Sequence, residues 1–205
     1  MKILFLNASP HGDMSHGYRL ATEMIDTLRK NSPAEVVVRD LAAHALPPIA
    51  RDYARAVTSR SPDTRAFDLS EQLIREIETT DVLIVNTPMH NFTVPAALKL
   101  WIDYVLRIHR TFASTAEGKV GLMRDRPAFV IVGSGGFHSG ERARQPDFLT
   151  PYVRFALGSI GIRNVHFLLL EGLVMGDETI GRALTVARES VARHALFALD
   201  AALNP

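Results

Sequence analysis

The feature that most constrains the fold is a regular alternation of short apolar runs with amphipathic segments. The runs are rich in β-branched residues and are predicted strands. They are Ile3–Leu6, Val36–Val38, Val82–Val85, Ala128–Val132 and Val165–Leu170. Their almost continuous apolar character is typical of strands that are buried on both faces of a parallel sheet.

Between the runs, apolar residues recur at three- and four-residue spacing, which predicts helices. These helices lie around Leu20–Leu28, Leu69–Ile77 and Leu98–Leu106, with a fourth over Phe148–Ile160 and a last from about Thr179 to Ala202. The alternation therefore predicts an α/β fold, a doubly wound five-stranded parallel sheet of order 2-1-3-4-5 with helices on both faces.

Composition narrows the classes of function. The 205 residues are 47% hydrophobic with no break in composition, which predicts a single domain over residues 1–205. A net charge of +1 is too small for a protein that binds mainly a nucleic-acid backbone, so no nucleic-acid partner is expected. The chain has no cysteine, which excludes disulfides, thiolate metal sites and a cysteine nucleophile. No metal site is predicted, and redox chemistry would need a bound cofactor.

The sequence also predicts where the protein works. The apolar run at the amino terminus turns polar at Asn7, too early for a signal peptide. No segment approaches the roughly 20 apolar residues of a membrane helix. We expect a cytoplasmic protein with no membrane partner, and the absence of cysteine fits a reducing compartment.

Two connections are longer than the predicted topology requires. They cover Leu41–Arg65, which contains three prolines, and the polar stretch Ile108–Arg126. Such loops form lids, substrate walls or subunit contacts, or are plain surface excursions.

Ligands of open parallel sheets bind at the carboxyl ends of the strands, so the residues that follow each strand are the candidate site. Strand one is followed by Asn7-Ala8-Ser9 and then by Ser15-His16-Gly17 at the start of a predicted helix. Free N–H groups at a helix start, with Ser9 and Ser15 as extra donors, suit a phosphate. The alternative is ordinary capping of the helix by Ser15.

The residues of this loop exclude three other functions for it. Gly12 and Gly17 have Walker A spacing, but Tyr18-Arg19 follows where Lys and Ser or Thr are required. A receiver domain would need acidic residues after strand one and an Asp at the end of strand three. The G-x-G-x-x-G dinucleotide fingerprint is also missing. The phosphate of a mononucleotide therefore remains as the expected ligand of this loop.

The loops after the third and fourth predicted strands can complete a site for a flat ring system such as isoalloxazine. The stretch Pro88, Met89, His90, Asn91 and Phe92 offers an apolar surface and backbone polar groups for a flat ring. His90 is otherwise a surface turn residue and Met89 a core residue. In the loop after strand four, the glycines let the main chain approach a ligand closely. This loop comprises Gly133, Ser134, Gly135 and Gly136.

Short segments throughout the chain form a set that matches one family. They are Asn7-Ala8-Ser9, Ser15-His16-Gly17, Arg39-Asp40-Leu41-Ala42-Ala43, Pro88-Met89-His90-Asn91-Phe92, Leu98-Lys99, Thr111-Phe112, Gly135-Gly136-Phe137-His138, Thr150-Pro151-Tyr152, Gly158-Ser159-Ile160-Gly161-Ile162 and Glu171-Gly172. With this set the chain resembles the flavodoxin-like FMN-dependent NADH-azoreductases, which are also NAD(P)H:quinone reductases. The resemblance covers essentially the whole length.

The resemblance implies a role for each loop. Ser9 and residues 15–17 would surround the FMN phosphate, residues 89–92 would lie along the isoalloxazine, and residues 133–136 would close over its other polar edge. His138 matches a family histidine beside the flavin and is a candidate catalytic proton donor, with a structural role as the alternative. The chain departs from the common pattern at Gly17 (usually Ser), His90 (usually Tyr) and Ser134 (commonly Arg).

The resemblance also implies the reaction. FMN would be the cofactor, NADH or NADPH the donor, and quinones or azo compounds the acceptors, in a ping-pong cycle within a homodimer. Two alternatives remain open, a flavodoxin-type electron carrier and a flavin-binding regulatory subunit. Flavodoxins are usually strongly acidic, whereas this chain is nearly neutral.

Overall fold

A computed structural model describes residues 1–59, 61, 63–116 and 118–198. The strands are β1 (Lys2–Asn7), β2 (Glu35–Asp40), β3 (Val82–Pro88), β4 (Phe112–Thr115), β5 (Gly118–Gly121), β6 (Ala128–Gly133) and β7 (Val165–Leu170). The α-helices are α1 (His16–Asn31), α2 (Arg51–Thr58), α3 (Asp68–Glu78), α4 (Ala96–Val105), α5 (Thr150–Ile160) and α6 (Asp177–Ala192).

The main sheet has the order β2-β1-β3-β6-β7, and all its strands are parallel. With the separate β4–β5 hairpin left out, this is the predicted order 2-1-3-4-5, and the predicted fold is confirmed. Chain order reverses between β1 and β3, so the loops that follow these strands face one crevice. The register aligns Asn7 with both Asp40 and Asn86 at this edge.

Helices cover both faces of the sheet, as its continuous apolar strands require. Alternate residues of β1 point to opposite sides because side chains alternate along a strand. Ile3 and Phe5 pack with α1 and α6, whereas Leu4 and Leu6 pack with α3, α4 and α5. Each strand therefore contributes to two cores, which fixes the strand ends that carry the site.

The two long connections are more ordered than the sequence predicted. The first contains α2, which places Tyr53 and Ala56 in the core at a spacing of three residues. The second contains the antiparallel hairpin of β4 and β5. The tertiary reason for the hairpin is its contact with the end of α5, where Gly121 packs directly against Ile160 and Gly161.

The predicted end of the last helix is wrong, whereas the fourth helix lies close to its rough prediction. The last helix ends at Ala192, because Phe197 turns back to pack on Phe129 with ring centroids 5.1 Å apart. The rest of its predicted range, residues 199–202, lies outside the described residues. The fourth helix begins at Thr150 rather than Phe148, because the Asp147 carboxylate accepts from the N–H groups of Leu149 and Thr150.

In the part of the chain that the structure describes, no helix has the length and apolar character needed to cross a membrane.

Candidate functional site

The β1–α1 loop (residues 8–15) ends in an open helix terminus. Ser15 is the N-cap of α1, and its Oγ accepts from Tyr18 N at 3.4 Å, so the capping role is real. The N–H groups of His16 and Gly17 have no acceptor among the described residues. Together with the dipole of a 16-residue helix, they make this terminus chemically suited to hold an anion. Capping and anion binding are therefore compatible here.

The platform loop (residues 89–95) contains a strained turn. Met89 N donates to Gly133 O at 2.8 Å and ties the loop to the end of β6. His90 and Thr93 exchange backbone hydrogen bonds of 2.9 and 3.1 Å around Asn91 and Phe92, whose φ angles are +46° and +73°. A left-handed conformation is uncommon for a bulky residue such as phenylalanine and is often found at ligand sites. It leaves the Phe92 ring 45% exposed.

The glycine loop (residues 133–139) is fixed from within by Ser134. Its N–H donates to Leu170 O at 2.9 Å, and its hydroxyl donates to Gly136 O at 2.8 Å. The N–H groups of Gly135 and Gly136 find no acceptor in the described part of the chain. The Ser134 side chain, at the position where the family resemblance led us to expect Arg, thus braces the loop internally instead of presenting a cation.

His138 lies behind this loop, and its side chain is fully buried. Its Nδ1 lies 3.1 Å from both the Ser134 hydroxyl and Glu171 Oε1. The Ser134 proton is already donated to Gly136 O and Glu171 is a carboxylate, so we assign a proton to Nδ1. Nε2 is buried and has no partner among the described residues. Glu171 also accepts from the N–H groups of His138 and Ser139, at 2.7 and 2.9 Å.

The three loops enclose a cleft of about 370 Å³ at the switch point. It brings together most of the predicted cofactor-binding residues, namely Ser9, Ser15, His16, Gly17, Pro88, Met89, Gly133, Ser134 and Gly135. The predicted residues His90, Asn91, Phe92 and Gly136 are not part of its lining, and neither is His138. The first three of these lie on the exposed turn of the platform loop.

Several lining residues were missed by the sequence analysis. They are His11, Met14, Asn86, Thr87, Leu173 and Val174. Asn86 and Thr87 end a strand that is otherwise apolar, and two polar residues in a buried strand were a usable signal. Leu173 and Val174 follow β7, the fifth strand of the main sheet. Because ligands bind beyond the carboxyl ends of parallel strands, their position after a strand was also a usable signal.

Comparison of the chain with known proteins agrees with the geometry of this site. The family described as having a flavodoxin-like fold matches residues 1–195. The chain is 56% identical over 197 residues to FMN-dependent NADH:quinone oxidoreductase 4 of Pseudomonas fluorescens, covering 95% of this chain and 96% of the relative. The chain belongs to the flavodoxin-like family. The predicted resemblance is confirmed.

Other proteins similar to this flavodoxin-like chain support the same family and the same fold. FMN-dependent NADH:quinone oxidoreductase 5 of Burkholderia lata is 52% identical over 198 residues, covering 96% of this chain and 95% of the relative. Among solved structures, the azoreductase AzrA has a TM-score of 0.81 at 23% identity, covering 94% of this chain and 97% of that chain. An FMN-dependent NADH-azoreductase from Bacillus anthracis, solved in complex with FMN, has a TM-score of 0.80 at 20% identity, covering 94% of this chain and 99% of that chain. These structures support the fold.

Proposed function

We propose that this chain is an FMN-dependent NADH:quinone oxidoreductase that also reduces azo compounds. The observation that carries the proposal is the switch-point cleft, which pairs an anion-binding helix terminus with an apolar platform and a glycine loop. The names of relatives more than 50% identical favour an enzyme over a flavodoxin-type carrier or a regulatory subunit.

The residues fit an FMN phosphate at one end of the cleft. The Ser15 hydroxyl and the N–H groups of His16 and Gly17, which have no acceptor among the described residues, are donors of the kind that a phosphate requires. Ser9 lies beside them and is 3% exposed. We assign these four residues to the phosphate.

The other loops fit a flat ring. Pro88 and Met89 give the apolar floor, and the turn at 90–92 extends it towards the protein surface. Gly133, Ser134 and Gly135 line the cleft beside this floor, and the Gly135 N–H, which has no acceptor among the described residues, would meet a polar ring edge and stabilise negative charge on it. The Gly136 N–H also finds no described acceptor, but Gly136 does not line the cleft. When bound, FMN supplies the redox chemistry by carrying the two electrons of NADH, or of NADPH, to the acceptor.

For His138 we propose a positioning role in place of the predicted catalytic one. Its side chain is fully buried and does not line the cleft. Through Nδ1 it ties Ser134 to Glu171 and so holds the glycine loop in place.

The ring end of the cleft borders an apolar face that supports a homodimer. Phe148 and Phe155 are 60% and 70% exposed, and Phe148 N donates to Phe92 O at 3.0 Å, which joins this face to the platform loop. Val120 and Leu122, on the neighbouring hairpin, are 46% and 53% exposed. A second copy would cover these side chains and wall the ring end.

The remaining features concern the setting of the enzyme. We propose a cytoplasmic protein built as one domain over residues 1–205, with small-molecule substrates and no nucleic-acid or membrane partner. The net charge of +1 and the absence of cysteine support this setting.

A visible spectrum and steady-state kinetics test the proposal. The purified protein should carry releasable FMN, and NADH alone should bleach it. Because both substrates use one cleft in turn, initial-velocity lines for NADH and a benzoquinone should be parallel. A colourless protein that also fails to bind added FMN would refute the proposal, and intersecting lines would refute the ping-pong cycle.

A further inference from the structure

Three polar side chains form a row across the sheet, and Ser15, at the phosphate end of the cleft, continues it as a fourth member. The register pairs Asn7 with Asp40 on one side and with Asn86 on the other. Asn7 and Asp40 are the last residues of β1 and β2, and Asn86 lies near the end of β3. Asn7 is fully buried and Asn86 is 2% exposed. Buried amides must be hydrogen-bonded to be tolerated, so their partners decide what they do.

The direction of every hydrogen bond in this row is fixed by the Asp40 carboxylate. Asp40 Oδ2 can only accept, so Asn7 Nδ2 donates to it at 3.0 Å. Asn7 Oδ1 is then an acceptor, and it receives Ser9 N at 3.2 Å and Asn86 Nδ2 at 2.9 Å. Asn86 must therefore point its amide nitrogen, Nδ2, at Asn7 Oδ1.

The last member of the row is Ser15. Its Oγ accepts from Asn86 Nδ2 and from Tyr18 N, both at 3.4 Å. With both acceptor positions occupied, the hydroxyl proton is left to donate. Ser15 and Asn86 both line the cleft, so this proton is available to an anion held there.

Gly17 is the residue that makes room for Asn86. A Cβ atom built on Gly17 would lie 2.1 Å from Asn86 Oδ1 and 3.1 Å from Ile131 Cγ2, closer than real contacts allow. Gly17 has no positive φ that would demand glycine for its backbone, so the requirement is one of space. The departure from the usual Ser at this position therefore has a partner, the Asn86 side chain.

We propose that Asp40, Asn7 and Asn86 form a relay that orients Ser15 as a hydrogen-bond donor to the FMN phosphate, and that Asn86 and Gly17 are a mutually dependent pair. Asn86 takes the volume that a side chain at position 17 would fill and adds a polar group in its place. This inference rests on the proposed function, because FMN is the anion that the relay serves.

The first test compares FMN with riboflavin, which lacks the phosphate. Dissociation constants are measured by flavin fluorescence quenching on apoprotein. Asn86→Ala should weaken FMN binding by up to about tenfold and leave riboflavin unchanged, because Ser15 is no longer oriented to donate its hydrogen bond to the charged phosphate. Asn86→Asp should weaken FMN further, because a carboxylate cannot donate to Asn7 and repels the phosphate.

The second test is a double-variant cycle. Gly17→Ser should weaken FMN by about tenfold or more, because the new side chain displaces Asn86. Gly17→Ser combined with Asn86→Ala should bind FMN more tightly than Gly17→Ser alone. Gly181→Ser is the matched control, because this helical glycine has open space around its Cβ position and should behave like the parent.

Thermal unfolding of each apoprotein separates folding from binding. If Gly17→Ser does not fold, the double variant should recover the folded state, which tests the same pair. An additive cycle, or Asn86→Ala that binds FMN as tightly as the parent, overturns the proposal while leaving the enzyme assignment intact. A parent protein that binds neither flavin instead overturns the proposed function.

Discussion

The two ends of the cleft are built differently. At the phosphate end, Ser9 and Gly17 are buried, and the polar side chains beside them are joined by hydrogen bonds to Asp40. At the ring end, the platform loop leaves Phe92 half-exposed and strained, beside the exposed rings of Phe148 and Phe155. The phosphate end is therefore complete within one chain, whereas the ring end exposes apolar surface that a second chain would cover. The comparison predicts that substitutions at the two ends fail in different ways.

The largest expected effect is on assembly. Phe155→Glu should shift the dimer dissociation constant by about a hundredfold or more, because burying an unpaired carboxylate costs about 3 kcal/mol or more. Quinone reduction should fall with the dimer, as measured by sedimentation and steady-state rates on the same samples. Val186→Glu is the control, since Val186 is 62% exposed on α6, a helix on the opposite side of the sheet. A Phe155→Glu protein that remains a fully active dimer would contradict the proposed interface.

The next effect concerns the phosphate end alone. Ser15→Ala should weaken FMN about tenfold, because it removes a donor to a charged group, while the dimer persists. Thr27→Ala is a control on the same helix, where the Thr27 hydroxyl only donates back to Glu23 O at 2.9 Å. Fluorescence titration and sedimentation report the two properties separately. If Ser15→Ala dissociates the dimer, the two ends are not independent.

The smallest effect is on strain. Phe92→Gly should be more stable than Phe92→Ala by about 1 kcal/mol, because of the two only glycine adopts the left-handed conformation without a steric cost. The same change should lower quinone reduction, because it removes a ring from the platform loop. Asn91→Gly should give a smaller gain in stability, since asparagine already tolerates this conformation. Denaturant unfolding measures these stabilities, and equal values for Phe92→Gly and Phe92→Ala would mean that the turn is unstrained.

Much of the fold was predictable because it depends on local patterns. Continuous apolar runs predicted every strand of the main sheet, and helical periodicity predicted helices between them. The confirmed strand order follows from this alternation of strands and helices. The hairpin β4–β5 was missed because its short strands have no such pattern and are held by contact with α5. The end of the last helix was wrong because the contact between Phe197 and Phe129 outweighs helical propensity.

The candidate site, like the fold, has a part that the sequence predicted and a part that only the structure showed. The sequence by itself determined the family and the three loops at the strand ends, because these are read from residues that are close together in the chain. Only the tertiary structure decided that Asn86 meets Gly17, that Asp40 sets the direction of the amide row, and that His138 is buried against Glu171. Each of these depends on strand register and packing between residues more than 30 positions apart, which no local pattern encodes.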